Sequence, residues 1–451
     1  MAENLLNQPL DQPNSRSLER DAERLHDHQG VNPGEIAIGV ILGRTSEFFD
    51  FFVYAIAAVL IFPSRIFPFA SPNLAMAYSF AVFALAFVGR PLGTLVFTYI
   101  DHNYGKGVKL TSALFLLGGS TIAIALMPAY ETAGTLSVAL LCCFRFAQGV
   151  ALGGAWDGMP SLLTLNAPER RRGWYAMIPQ LGAPIGLIVA CALFAYFAAI
   201  LTKDDLLDWG WRYPFFVALA INVVALFARL RLVATPEFQR LFETRELQPS
   251  PPFQALKEEW RTILLGSFAP LASFALFHLV TVFPLSWVTL TTDENPVRFL
   301  LTEALGAGLC ILAVVASGIL ADRFGRRTIL ATSAVAIGAF SGFAPQLLSA
   351  GPGGETAYLL MGFVLLGLAF GQSSGIVNSR FSQIHRYTGA AIVANSAWFF
   401  GAGFAPLVAL HLSSHFGLWS IGLYLLSGVA GTLGALYANS ELGSHLSTQA
   451  G

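Results

Sequence analysis

Twelve long apolar segments constrain the fold of this chain more than any other feature of its sequence. Each is close to, or longer than, the roughly 20 residues that an α-helix needs to cross a bilayer. Lipid offers the backbone no hydrogen bonds, so such segments are expected to form helices. The sequence therefore predicts twelve membrane-spanning helices, numbered span 1 to span 12, at about 36–62, 74–100, 109–127, 135–160, 174–200, 211–229, 261–290, 299–321, 328–349, 356–380, 388–411 and 417–437.

The composition excludes several classes of protein. Hydrophobic residues make up 55% of the chain and charged residues 12%, about half the roughly 25% typical of soluble domains. With 26 Lys and Arg against 27 Asp and Glu, the chain lacks the basic surplus of a nucleic-acid binder. It has no phosphate-binding GxxxxGK[ST] loop and no Cys/His spacing typical of a metal site. We therefore expect neither an enzyme nor an ATP-driven pump, and no metal or cofactor.

A polar, proline-containing stretch at 230–260 divides the apolar segments into two groups of six. The predicted organisation is an N-terminal tail (1–35), a six-helix bundle (36–229), a central loop (230–260), a second six-helix bundle (261–437) and a C-terminal tail (438–451). An amphipathic surface helix is expected near 253–260. Most Lys and Arg residues fall on the side of the two termini, so the positive-inside rule predicts that both termini are cytoplasmic. The expected location is the bacterial inner membrane, crossed many times.

Two loops carry related sequences six helices apart. The loop after span 8, 318–327, reads GILADRFGRR, and the loop after span 2, 99–106, is a degraded echo of it. An Asp at a helix end can accept hydrogen bonds from the N-terminus of the next helix, while nearby Arg groups pair with it. The pattern therefore predicts a latch on one side of the membrane, although positive-inside topology with a tight glycine turn is the alternative. The residues assigned to this latch are Asp101, Asp322, Arg323 and Arg326.

These motifs carry a family resemblance. The loop 318–327 and the stretch 145–154 resemble signatures of the major facilitator superfamily. Further segments, in family order over about 36–435, resemble its metabolite–proton symporters: 47–54, 90–93, 179–184, 209–215, 235–238 and 386–390. The resemblance implies an all-α membrane protein with the major facilitator fold, two six-helix bundles that move around a central site. It also implies a substrate like those of the family, which includes carriers of citrate, 2-oxoglutarate, shikimate, proline and betaine.

Charged side chains inside the bilayer are costly and are therefore functional candidates. Asp50 and Glu47 of span 1 and Asp157 of span 4 are interpreted as proton-coupling groups, and Arg145 of span 4 as a ligand for an anionic substrate. Tyr54 shares a helical face with both span 1 carboxylates, at i+4 from Asp50 and i+7 from Glu47, and is assigned to the substrate site. The alternative is a set of ion pairs that holds spans 1, 2 and 4 together.

Other polar residues in the spans receive less specific assignments. Arg44 lies three residues from Glu47, and Arg90 precedes Pro91, so both are assigned to helix packing or gating. Neutral polar side chains, together with one His and one Trp, could line the substrate site, although interhelical hydrogen bonding is the alternative. These further substrate-binding candidates are Gln180, His278, Gln372, Asn378, Asn395 and Trp398.

The predicted function is proton-coupled symport of a small organic acid or zwitterionic metabolite by alternating access. Its partners would be the metabolite, the proton and the lipid bilayer, with no nucleic acid and a monomeric state. The stretch Gly154-Ala155-Trp156-Asp157 departs from the GGEWGG-like pattern of the resembling family. This departure keeps open a proton-independent exchanger or facilitator as an alternative. A non-transporting membrane sensor is the third hypothesis.

Overall fold

A computed structural model describes residues 33–155, 163, 167–233, 249–292, 294–374, 380–382 and 384–449. All regular structure in these residues is helical, and they contain no β-strand. Ten helices, corresponding to spans 2–8 and 10–12, are long and apolar enough to cross a membrane. The other two spans are also helical in the described residues: span 1 carries Arg44, Glu47 and Asp50 in its apolar part, and span 9 is broken at Gly342. The predicted all-α class with twelve spans is confirmed.

The first half contains five continuous spans and one that is distorted. Span 5 starts as the helix Arg172–Met177, passes through the 3₁₀ turn Ile178–Leu181 and continues as Gly182–Ile200. The distortion falls at Pro179, where the missing N–H and the fixed φ interrupt an α-helix. The continuous helices are span 1 at Pro33–Leu60, span 2 at Pro72–Tyr104, span 3 at Lys106–Leu126, span 4 at Thr135–Gly154 and span 6 at Arg212–Val233.

The second half contains three interrupted spans, and a proline stands at or just after each interruption. Span 7 consists of Leu271–Thr281 and Phe283–Thr291, and span 9 of Arg326–Ser341 and Ala344–Ser349. Span 11 is Arg386–Ala397, a π-helical segment Trp398–Gly403 and Ala405–Phe416. The continuous helices are span 8 at Pro296–Phe324, span 10 at Pro352–Phe370 and span 12 at Ser420–Gln449.

Span 10 ends earlier than the sequence predicts, at Phe370 instead of about 380. The guanidinium of Arg326 donates hydrogen bonds to the backbone oxygens of Gln372, at 3.1 Å, and Ser374. These carbonyls are therefore satisfied by a side chain of span 9 and need no helical partner.

The predicted amphipathic helix of the central loop is present and, as Pro252–Phe268, also takes in the first residues predicted for span 7, which starts at Leu271 instead of about 261, while residues 234–248 lie outside the described part of the chain. Glu259 interrupts it with φ −115° and ψ 19°, so the surface part ends there. The ring of His385, just before span 11, lies 2.8 Å from a carboxylate oxygen of Glu258. Hydrogen bonds from Gln254 and His385 hold the pKa of the Glu258 carboxyl below its ordinary value. This pair, of a buried His385 and an exposed Glu258, docks the loop helix on the start of span 11.

The same packing pattern occurs in both halves. Span 1 packs on spans 5 and 6, span 2 on span 4, and span 3 on spans 4 and 6. Six helices later, span 7 packs on spans 11 and 12, span 8 on span 10, and span 9 on spans 10 and 12. The halves meet where span 5 packs on span 8 and where span 2 packs on span 11, named here the 5–8 seam and the 2–11 seam. This repetition is typical of a duplicated six-helix unit.

The two membrane faces are named from the loops. The face that carries Asp101 and Asp322 is called the inner face, because the sequence predicts it to be cytoplasmic, and the opposite one is the outer face. That orientation and the domain boundaries at 36–229 and 261–437 stay predictions.

Candidate functional site: a buried arginine between the two halves

Asp50 lies in the middle of the first half with 2% of its surface exposed. The hydroxyl of Thr121, on span 3, donates a 2.6 Å hydrogen bond to Oδ1. The amide of Gln148, on span 4, lies 3.4 Å from Oδ2 and also donates to the Thr121 oxygen at 2.8 Å. Two neutral donors from neighbouring helices therefore hold this carboxyl. Neither Thr121 nor Gln148 is among the site residues predicted from the sequence, although Gln148 lies in the family-like stretch 145–154.

Arg145 is 1% exposed, and the side chain of Gln148 connects it to Asp50 by hydrogen bonds. Its Nη1 donates to Oε1 of Gln148 at 3.0 Å, and its Nε donates to the backbone oxygen of Phe83 at 3.3 Å. Within the described residues, no direct ion pair joins Arg145 to Asp50, since none of their charged atoms lie within 4.0 Å of each other. The amide of Gln148 therefore links the positive and the negative group in a chain of three side chains.

Aromatic rings surround the buried guanidinium of Arg145. The Cζ atom of Arg145 lies 3.8 Å from the ring centre of Tyr54, 4.9 Å from Phe83 and 5.5 Å from Phe51. The negative faces of such rings attract a desolvated cation. His278, from span 7 in the other half, stacks on Phe51 at 5.3 Å and meets Phe83 edge-on at 5.3 Å. Arg145 and His278 therefore approach the same two rings from different halves of the molecule.

Among the residues that the structure describes, three buried polar atoms around these rings have no hydrogen-bond partner: Nη2 of Arg145, the hydroxyl of Tyr54 and Nε2 of His278. Buried polar groups are rarely left unsatisfied, because each costs free energy. A small polar ligand between the halves could satisfy such groups. Because one of them is a cation and another a hydroxyl donor, the ligand they fit best is an anion.

An aromatic cluster closes the centre of the molecule in this conformation. Phe52 of the first half stacks on Phe277 of the second at 5.9 Å. Trp398 lies in the π-helical segment of span 11, with its ring 5.0 Å from Phe277 and 4.8 Å from Phe274. A ligand therefore reaches the arginine only after these rings move.

A second group of charges borders a separate small cavity. Arg44 pairs with Glu47 at 2.6 Å, and the guanidinium of Arg90 lies 5.7 Å from the ring of Trp398. The cavity that these four residues help to line holds about 20 Å³, room for about one water molecule. Asp157, the third predicted proton-coupling residue, lies outside the described residues.

The structure places three of the predicted substrate-binding residues in hydrogen bonds between the halves. Gln180 donates to the hydroxyl of Ser373 at 3.1 Å, and Asn395 donates to the hydroxyl of Thr94 at 2.7 Å. Gln372 is buried at the inner face, where its amide donates to the backbone oxygen of Gly173 at 3.2 Å. These contacts correspond to the hydrogen-bonding alternative for such residues. Asn378 lies outside the described part of the chain.

Asp322 joins the two halves at the inner face. Its carboxylate accepts hydrogen bonds from the backbone N–H of Gly173 at 2.7 Å and of Trp174 at 3.3 Å, in the first turn of span 5. A carboxylate at a helix N-terminus satisfies free N–H groups and the positive end of the helix dipole. The sequence predicts such a bond to the following helix, but the structure places it on a helix of the other half.

The two arginines of the same loop have different surroundings. Arg326 donates hydrogen bonds to backbone oxygens just after span 10, and Arg323 lies exposed beside Phe324.

The echo loop makes the corresponding connection by side chains. Asp101 accepts a 3.1 Å hydrogen bond from Nζ of Lys109. The same Nζ lies 2.9 Å from the hydroxyl of Tyr387, in the first turn of span 11. Each loop therefore holds the first turn of the equivalent helix in the opposite half.

The outer face has a pocket of about 470 Å³ between the ends of spans 1, 5, 7 and 8. Its lining includes Leu60, Lys203, Leu285, Thr289 and Phe299. The described residues contain no cluster of three or more His, Cys, Asp or Glu side chains suited to a metal ion. In the described residues, the two halves are thus joined by hydrogen bonds at the inner face and leave a pocket between them at the outer face.

Comparison with known proteins places this geometry in a family. Residues 40–396 match the family described as Major Facilitator Superfamily. The chain is 37% identical to the inner membrane metabolite transport protein YhjE of Escherichia coli, over 90% of this chain and 94% of that protein. It is 29% identical to the shikimate transporter of Escherichia coli, over 87% and 91% of the two chains. Its fold is similar to that of a D-xylose-proton symporter, with a TM-score of 0.67, 20% identity and coverage of 89% and 96%.

Proposed function

Since the chain belongs to the Major Facilitator Superfamily and is a membrane carrier rather than an enzyme, we propose that it is a proton-coupled symporter of a small metabolite bearing a carboxylate. Both organic acids and zwitterions carry that group. The observation that carries the proposal is the unsatisfied Nη2 of Arg145, buried beside His278 of the opposite half. A ligand that contacts both halves has a different affinity for each conformation in which the halves are arranged. Its binding therefore shifts the equilibrium between these conformations, as alternating access requires.

Coupling follows from the chain Asp50–Gln148–Arg145. While the site is empty, the charge of Arg145 stabilises the ionised form of Asp50, although the two do not touch. A substrate carboxylate that binds Arg145 neutralises this charge, and the buried Asp50 then retains a proton more readily. Substrate and proton therefore favour each other's binding, and they cross the membrane together.

The named relatives support the class of cargo and the driving force. The shikimate transporter is named for a carboxylate-bearing metabolite, and the D-xylose carrier of similar fold is named a proton symporter. A carboxylate-bearing cargo agrees with the buried Arg145 at the centre of the site. Proton symport agrees with the buried carboxyl of Asp50, which is held by neutral donors instead of by a direct ion pair.

Replacing Asp50 by Asn tests the coupling. Asn can still accept from Thr121 at one oxygen, but it cannot bind and release a proton. We expect Asp50→Asn to lose accumulation driven by a pH gradient in proteoliposomes while retaining substrate counterflow. Asp208→Asn, at an exposed carboxylate of the outer face, is the matched control and should accumulate normally. Normal accumulation by Asp50→Asn would show that the proton is coupled elsewhere.

Proton-independent exchange is the second candidate, and the altered stretch Gly154-Ala155-Trp156-Asp157 favours it. An uncoupler distinguishes the two functions. It should abolish accumulation by a proton symporter and leave exchange of external for internal substrate unchanged. A screen of carboxylates, amino acids and betaines for thermal stabilisation of the purified protein would supply the substrate for both assays.

A further inference from the structure

Glu303 is a buried carboxyl that the proposed transport mechanism does not use. It lies on span 8, seven residues from the outer end at Pro296, which places it about 10 Å below that end. Only 1% of its surface is exposed. Ionisable groups at such depth are functional candidates, because lipid and apolar side chains do not replace their hydration.

The contacts of Glu303 fit the neutral acid and not the carboxylate. Its Oε2 lies 3.7 Å from the thiol of Cys191 on span 5, a weak donor. Its Oε1 has no hydrogen-bond partner, and no basic side chain among the described residues pairs with it. A buried carboxylate without a cation or strong donors is unfavourable compared with the protonated form. The closed arrangement therefore holds Glu303 with its proton.

The charged groups on the neighbouring helices are engaged elsewhere. On span 10, Glu355 binds the guanidinium of Arg298 at 2.8 Å, and Arg298 also binds Glu294 at the outer rim. Tyr358 of span 10 donates to a backbone oxygen at 2.6 Å. On span 5, Cys191 is the titratable side chain that contacts Glu303.

The ionisable side chains of spans 7 and 9, which also pack on span 8, do not contact Glu303. His278, on span 7, lies in the central aromatic cluster. The cationic residues of span 9, Arg326 and Arg327, lie at its inner end. Within the described residues, no neighbouring helix therefore offers Glu303 a countercharge.

Glu303 also lies at the 5–8 seam, directly below the outer pocket. Phe299, one helical turn outward on span 8, lines that pocket together with Ala198 and Leu201 of span 5. Cys191 and Glu303 face each other across the seam beneath them. Opening of the outer part of the seam would expose the carboxyl to pocket water.

We infer that Glu303 is a second proton-binding site, at which a proton from the outer pocket must bind before the outer part of the 5–8 seam can close. The step forms one O–H bond on the carboxylate and consumes one proton from water, without any redox change. When the seam opens, the hydrated carboxyl releases the proton again. This role rests on the proposed alternating access, and it is separate from substrate coupling at Asp50.

The sign of the pH dependence follows from linkage. The closed seam binds one more proton than the open seam wherever a hydrated Glu is ionised, so alkaline medium favours opening. For one proton, the ratio of closed to open molecules falls by up to about tenfold per pH unit. Low pH at the outer face therefore closes the seam.

Distance measurement between spin labels on spans 5 and 8 tests this inference without substrate or transport. Tyr196 and Leu305 are exposed positions on the outer parts of these helices, and each can be replaced by a labelled Cys after Cys142 and Cys143 are changed to Ser, while the buried Cys191 and Cys310 are kept. We expect the long-distance population to grow as the pH rises. Glu303→Gln, which mimics the protonated acid, should keep the short distance at every pH.

Two further variants test whether the pH response depends on the carboxyl of Glu303 itself. Glu355→Gln removes a neighbouring carboxyl that is bound to Arg298, and it should keep the pH response. Glu303→Asp retains a titratable group and should also keep it, which separates loss of the proton site from loss of folding. A pH response that is absent, that persists in Glu303→Gln or that disappears in Glu355→Gln would overturn the inference. Normal accumulation by Asp50→Asn would contradict the coupling proposal and leave this one standing.

Discussion

At the residue scale, Arg145 shows how an apolar membrane interior can hold a full positive charge. Three aromatic rings, one amide oxygen and one backbone oxygen replace the water around the guanidinium. A planar, weakly hydrated guanidinium suits this environment better than the compact ammonium of Lys. One Nη atom remains for a ligand, so the side chain is both held in place and available.

We therefore expect Arg145→Lys to keep the charge but to lose substrate affinity. Lys cannot maintain the bonds to Gln148 and Phe83 and still reach a ligand. Loss of one charge-assisted hydrogen bond costs about 2 kcal/mol, which corresponds to roughly a 30-fold rise in KM. Initial uptake rates measured against substrate concentration check this value. Arg261→Lys, at an exposed Arg beside Trp260, is the control, and an unchanged KM in Arg145→Lys would argue against a ligand at this group.

The sequence identifies some residues of the candidate site and misses others for a physical reason. Arg145, Tyr54 and His278 are conspicuous because polar groups are rare in apolar helices, and the structure brings all three to the ring of Phe83. Thr121 carries no comparable signal, since a lone Thr in a span usually bonds its own backbone. Its role depends on span 3 packing beside Asp50, and one sequence does not reveal which helices are neighbours.

At the element scale, close helix packing depends on particular glycines. A Cβ atom on Gly149 of span 4 would lie 2.1 Å from the backbone oxygen of Ala86 on span 2. Because backbone atoms cannot move aside as a flexible side chain can, the two helices would have to separate. Small residues permit such close backbone approach in membrane proteins.

Gly149→Ala should consequently destabilise the first half, by about 1–3 kcal/mol as in overpacked cores. Gly119→Ala on span 3 is the control, because a Cβ there meets no atom within 4 Å. The thermal unfolding midpoint of the purified protein in detergent measures both variants. Equal midpoints for Gly149→Ala and Gly119→Ala would mean that spans 2 and 4 pack less tightly than the structure indicates.

At the scale of the whole molecule, the arrangement of twelve spans follows from hydropathy, but their internal breaks do not. The predicted segments agree with the helices within a few residues in most cases. The break at Gly342 and the π-helical segment Trp398–Gly403 are absent from the prediction, because they depend on packing against other helices. The partner of Asp322 was likewise unpredictable, since the seam between the halves is a property of the folded chain.

The contacts at the inner face determine which conformation the molecule adopts. Asp322→Asn keeps an acceptor oxygen but loses the charge at the N-terminus of span 5, an effect of about 1 kcal/mol. We therefore expect roughly a fivefold shift toward an open inner face. Spin labels at the exposed positions Val108 and Ile384, one in each half, would report it as a longer distance. Arg323→Gln, on the same loop, should leave the distance distribution unchanged, and an unchanged distribution in Asp322→Asn would exclude a latch.

The two connections at the inner face differ in how many genetic changes can break them. The carboxylate of Asp322 accepts hydrogen bonds from main-chain N–H groups. Almost any amino acid except proline at position 174 would therefore still supply an N–H donor. The relay through Lys109 needs three specified side chains, those of Asp101, Lys109 and Tyr387. Evolutionary drift can therefore erode the second connection at three codons and the first at two, those of Asp322 and of Gly173, where a Cβ atom would lie 2.9 Å from the Asp322 carboxylate. Mutational scanning of both loops should find this imbalance as unequal tolerance to substitution.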